Sequence, residues 1–106
     1  MNYHLQPEKV SRLSAHLEEL FSKVSRCGVA HLPPELADEI AAMAGEVMVE
    51  LADHRGDELA RHVIEDARRL REAARTVCPE PACVAARGHA LVSGLELVIR
   101  EDKRAA

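Results

Sequence analysis

The sequence predicts an all-α protein, a four-helix bundle of up-down-up-down topology. Apolar residues recur at spacings of three and four in four segments, and no segment alternates as a strand would. Breaks that contain Pro or Gly separate these segments. A chain of 106 residues suffices for one domain with its own core. We expect that single helical-bundle domain to span residues 7–101, between short tails at 1–6 and 102–106.

The first helix is predicted to begin at Pro7, because a proline in the first turn loses no helical hydrogen bond. Gly28 is expected to cap its C-terminus. One apolar stripe marks the face that should meet the core, and it comprises Val10, Leu13, Leu17, Leu20, Phe21 and Val24.

The second and third helices are predicted to form a hairpin, and a proline pair opens the second helix. If the second helix continued past Leu51 in the same register, His54 and Asp57 would lie on its apolar face. We therefore predict a break at Gly56 and a new helix from Asp57. The stripe of the second helix comprises Leu36, Ile40, Met43, Val47 and Leu51. That of the third comprises Leu59, Val63, Ala67, Leu70, Ala74 and Val77.

Charges repeat every seven residues along this hairpin. The acidic series is followed by a basic one, and the six residues are Glu39, Glu46, Asp53, Arg61, Arg68 and Arg75. In an antiparallel pair the two series face each other in the register that also aligns the apolar seam, so that Glu46 meets Arg68. The alternative is an ordinary solvated face, in which an exposed pair contributes only about 0–1 kcal/mol.

The fourth helix is predicted to run from Pro81 to about Arg100, because two prolines interrupt the chain before it. Apolar residues cover most of its circumference, which is typical of a helix buried on several sides. One stripe comprises Val84, Leu91, Leu95 and Val98, and a second comprises Ala85, Val92 and Ile99.

We expect the second stripe to form an interface with another protein or in a homodimer. Gly88 and Gly94 would let another helix approach closely. The alternative is that this helix is simply the centre of the monomer. The alternative fold is a set of helical hairpins packed as an intertwined dimer.

Four potential metal ligands lie in or beside two connections, and they are Cys27, His31, Cys78 and Cys83. In an up-down-up-down bundle both connections lie at the same end, so the four could converge. Three thiolates and an imidazole form a recognised tetrahedral zinc set. The alternatives are a reversible disulfide or plain packing of buried cysteines. We expect no cofactor, and zinc bound by this set is the alternative.

The composition argues against several ligand classes. A net charge of −4, a pI of about 5.8 and only 2% aromatic residues do not suit nucleic-acid binding. No uninterrupted apolar stretch approaches membrane-spanning length and no signal peptide is evident, so we expect a cytoplasmic protein without membrane contact. Three cysteines do not form a secreted disulfide framework. The Arg- and Ala-rich composition is typical of GC-rich bacterial genomes.

The sequence lacks a nucleophile elbow, a phosphate-binding glycine loop and a zinc-protease motif, so we expect no enzyme. It favours a non-enzymatic protein–protein interaction module, such as a regulator, adaptor or small inhibitor, that acts through apolar helix surfaces. The competing hypothesis is a thiol- or metal-dependent sensor built on the four cysteine and histidine ligands.

Overall fold

The structure is a computed structural model that describes residues 7–26, 32–54, 56–76 and 79–105. Its four α-helices are α1 (Pro7–Ser25), α2 (Pro34–Glu50), α3 (Glu58–Ala74) and α4 (Pro81–Ala105). A single 3-10 turn, Ala52–His54, joins α2 to α3. The described residues contain no strand, which confirms the all-α prediction. The predicted tail at 1–6 and the predicted cap at Gly28 lie outside the described residues.

Neighbouring helices pack together around an apolar centre. The contacts of α3 with α2 and with α4 are extensive, as are those between α1 and α4, whereas α1 and α2 meet over a smaller area. A backbone hydrogen bond from the Leu32 nitrogen to the Pro79 oxygen, 3.4 Å long, links the connection that precedes α2 to the one that precedes α4. The helices are thus arranged as a helical bundle.

The predicted break near Gly56 is confirmed, and side-chain capping explains where α3 begins. Asp57 has an extended backbone, and its carboxylate accepts a hydrogen bond from the Ala60 nitrogen at 3.0 Å. This bond satisfies one of the donors that a helix N-terminus leaves unpaired. At the end of α2, the Leu51 nitrogen still bonds to the Val47 oxygen, after which the chain tightens into the 3-10 turn.

The apolar stripes form the core as predicted. The six predicted residues of α1, the five of α2 and the first stripe of α4 are all buried. In α3 the seam is buried from Val63 to Ala74, and Leu59 packs partly buried at its edge. Ser14 is the one polar residue buried among the described residues. The predicted Val77 lies outside them.

Helix α4 differs from the prediction in two ways. It continues to Ala105, about one turn beyond the predicted end. Its glycines serve contacts within the chain: a Cβ at Gly88 would overlap the Phe21 ring, and one at Gly94 would lie 2.9 Å from Val63 Cγ2. The two glycines therefore allow α1 and α3 of the same molecule to pack closely against α4.

The residues 81–101 of α4 are also long and apolar enough, by length and composition, to cross a membrane. Arg87, His89 and Glu96 interrupt this segment, so it is not an uninterrupted apolar stretch, and the absence of membrane contact stays a prediction. The core helix of a bundle passes the same test, and the first stripe of α4 is buried against the other helices.

Candidate functional site

A groove between α3 and α4 is the described surface that best combines exposed apolar residues with concentrated charge. Its volume is about 760 Å³. The floor is apolar or small and comprises Leu59, Val63, Ala90, Ser93, Gly94 and Leu97. Leu97 is 46% exposed, and with Val49 it is one of two large apolar residues exposed within the described part of the chain. We call this feature the α3–α4 groove.

The rim of the α3–α4 groove is acidic. Four carboxylates line it, from Asp57, Glu58, Asp66 and Glu101, and His62 is the only basic residue among the described side chains of the lining. The His62 Nε2 atom lies 4.0 Å from a Glu58 carboxylate oxygen, and both side chains are largely exposed. The rim therefore presents negative charge over an apolar floor.

Helical periodicity positions this groove. Glu58, His62 and Asp66 follow one another at intervals of four along α3, so they share one face. On α4, Gly94, Leu97 and Glu101 share a face for the same reason. Because Gly94 has no side chain, Val63 can fill the space between the two helices and close the floor of the groove.

The predicted interface stripe does not coincide with this groove. Val92 is only 8% exposed, and Ala85 and Ile99 pack partly buried against the core. The burial arises because Val92 lies beside α1, where it shares a cleft with Phe21 and His89. The structure thus places Val92 in the core of the single chain, and the accessible apolar face of α4 centres on Leu97.

The predicted cysteine cluster lies mostly outside the described residues, since Cys27, His31 and Cys78 are not among them. Cys83 is described, and it is exposed and free in the first turn of α4. The hydrogen bond between Leu32 and Pro79 does bring the two connections together. Within the described ranges no three His, Cys, Asp or Glu residues are grouped as metal ligands would be.

The predicted charge series lie on exposed surface, but their ion pairs differ from the prediction. Arg68 donates from Nε to Glu65 Oε2 at 3.0 Å, and its guanidinium also binds Glu72, both within α3. This hydrogen bond from Arg68 is the main reason that the pKa of Glu65 lies below its usual value. Among the described residues, no ion pair joins α2 to α3.

The α1 surface supplies a partner for one member of the acidic series instead. His16 Nε2 lies 3.1 Å from Glu39 Oε1, and Lys9 Nζ lies 3.1 Å from Glu50 Oε2. Whether Glu46, Asp53, Arg61 and Arg75 set the orientation of the hairpin by longer-range attraction stays a prediction.

Sequence reasoning missed the groove because its residues come from two separate segments, the first half of α3 and the C-terminal part of α4. Leu97 stood apart from both predicted stripes of α4, which was a signal of an accessible apolar position. The four acidic residues of the rim form no sequence motif. Comparison of the chain with protein-family models, with curated protein sequences and with solved structures finds no match.

Proposed function

We propose that the protein is a non-enzymatic binding module whose α3–α4 groove holds a basic amphipathic helix of a partner protein. The observation that carries the proposal is the half-exposed Leu97 on an apolar floor with an acidic rim. A regulator, adaptor or small inhibitor works through such a surface.

The shape and charge of the groove support this choice of partner. From Ala90 to Glu101 the lining of α4 extends about 16 Å at the usual helical rise. That length accommodates about three turns of a partner helix, whose apolar residues at positions i, i+3 or i+4, and i+7 would lie on the floor. Lys and Arg side chains at its flanks would meet the four carboxylates of the rim.

A designed peptide tests the groove directly. We expect a labelled helical peptide with Leu on one face and Lys on the other to bind in a fluorescence anisotropy titration. The same apolar face flanked by Glu should bind at least about tenfold more weakly, because like charges repel at the rim. Added salt should weaken the binding of the basic peptide, since salt screens the attraction between exposed charges.

Matched variants locate the binding site. Leu97→Ser removes the apolar contact and should lower the affinity for the basic peptide by about tenfold or more. Val49→Ser removes an apolar side chain on α2 that is more exposed than Leu97, and it should leave binding unchanged. The proposal fails if both variants bind as the unmodified protein does. It also fails if a scrambled basic peptide without an apolar face binds equally well.

We infer an up-down-up-down course for the bundle that presents this groove. Lys9, near the start of α1, pairs with Glu50 at the end of α2, as expected for antiparallel helices. The bond between Leu32 and Pro79 favours alternate connections at one end. The intertwined dimer of hairpins stays the alternative.

A thiol- or metal-dependent sensor is the second candidate, supported by that same bond between the two connections. If Cys27, His31, Cys78 and Cys83 bind zinc, elemental analysis of protein purified without chelator should give one zinc per chain. If two cysteines form a disulfide, thiol titration should gain two thiols on reduction. Three free thiols and no zinc would eliminate this candidate.

A further inference from the structure

His62 occupies the middle of the acidic rim of the α3–α4 groove. Glu58 lies one turn before it and Asp66 one turn after it on the same face of α3. The His62 Nε2 atom lies 4.0 Å from a Glu58 carboxylate oxygen, and both side chains are largely exposed. Histidine is the side chain whose ordinary titration falls between pH 5 and 8. The net charge of the rim therefore changes over that range while its four carboxylates stay ionised.

The charged groups that face His62 are mostly negative. Across the groove, Glu101 is the only charged residue among the described lining residues of α4. On α3, Arg69 lies two turns beyond His62 on the same face, and its Nε atom is 3.4 Å from Glu65 Oε1. Among the described residues, Glu58 carries the one carboxylate within 4.0 Å of this imidazole. Glu58 is therefore the counter-charge of a protonated His62.

The protonation state of His62 decides whether Glu58 is available to a partner. A neutral imidazole forms no ion pair, and at 4.0 Å the two atoms are too far apart for a hydrogen bond. A protonated imidazole attracts the carboxylate, and a glutamate one turn before a cation is the favourable order on a helix. Within the described residues Glu58 has no other ion-pair partner. Protonation thus adds one positive charge to the rim and engages one of its four carboxylates.

We propose that protonation of His62 regulates the α3–α4 groove, which binds a basic partner helix more tightly in neutral solution than in acid. The inference rests on the proposed function of the groove. In neutral solution the lysine and arginine side chains of the partner meet four carboxylates and no cation on the described rim. In acid the imidazolium of His62 repels those side chains and competes with them for Glu58. Because protonation opposes binding, binding of the partner must in turn release protons from His62.

Anisotropy titrations of the full chain at about pH 5.5 and about pH 8 in low salt test this regulation. The probe is the peptide with Leu on one face and Lys on the other, capped at both ends and without histidine, so its own charge stays constant. We expect about threefold weaker binding at the lower pH, because one exposed charge changes. His62→Gln should bind tightly at both pH values, and His62→Arg should bind weakly at both. Calorimetry at about pH 6.5 in buffers of different ionisation enthalpy should detect proton release with the unmodified chain and none with His62→Gln.

Two other histidines supply matched controls. The His54 carbonyl oxygen accepts a hydrogen bond from the Asp57 nitrogen at one end of the groove, and His89 lies on α4 beside Phe21. His54→Gln and His89→Gln should keep the full pH dependence, with helix content unchanged in circular dichroism. The inference is overturned if His62→Gln keeps the pH dependence or if either control loses it. Equal binding of the unmodified chain at both pH values overturns it and leaves the proposed function intact, whereas a peptide that binds at neither pH contradicts both.

Discussion

Val92→Asp should destabilise the folded chain by about 3–5 kcal/mol, which is the usual cost of leaving a buried charge without a partner. Val92 is 8% exposed and packs beside α1, where Glu18 also lines the adjoining cleft. The new carboxylate would therefore lose hydration and lie close to another carboxylate. Urea unfolding followed by circular dichroism measures the loss in the free energy of unfolding.

Two further variants separate charge from shape at this position. Leu97→Asp places the same carboxylate on the same helix, at a position that is 46% exposed, and should cost much less because water still solvates the charge. Val92→Ala removes volume without adding charge and should cost less than Val92→Asp. If Val92→Asp folds as stably as Leu97→Asp, then Val92 is not buried between α4 and α1.

The α4 helix illustrates how far periodicity alone can assign a surface. The stripe that contains Leu91 and Leu95 was identified correctly, because a core stripe repeats at the helical period whatever it packs against. Val92 repeats at the same period, so its pattern could not distinguish a second internal neighbour from an external partner. That distinction depends on where α1 lies, and α1 is more than 60 residues away in sequence.

Local signals fared better than charge patterns. The start of α3 at Asp57 depends on residues within one turn, and it was predicted correctly. The ion-pair partner of Arg68 was predicted incorrectly, because Glu65 and Glu72 lie three and four residues away on the same helix. A pair at these spacings needs no particular arrangement of helices, whereas a pair with Glu46 needs the hairpin register to be correct to within about one turn.

The α3–α4 groove and the exposed position of Val49 both depend on which residues the core leaves uncovered. Leu97 and Val49 lie off the buried stripes of their helices, so the sequence marks them as exceptions to each pattern. The charges around them come from two or three helices each. Only the packing of the helices brings those charges to one side of the molecule.

Replacing Gly88 with Ala should destabilise the chain by about 1–3 kcal/mol, the usual cost of adding a methyl group to a filled core. The added Cβ would overlap the ring of Phe21, which is only 4% exposed and has little room to move. This cost outweighs the gain of up to about 1 kcal/mol that Ala brings to a helix interior. Thermal unfolding of the variant measures the net effect.

Gly45→Ala is the matched control, and we expect it to have the opposite sign. It makes the same change inside a helix, but the new Cβ meets nothing within 4 Å, so the helix-propensity gain of up to about 1 kcal/mol should remain. The double variant Gly88→Ala with Phe21→Leu should lose less unfolding free energy than the sum of the two single variants. The smaller Leu side chain leaves room for the new Cβ at position 88. Equal effects of Ala at positions 45 and 88 would show that α1 does not pack against Gly88.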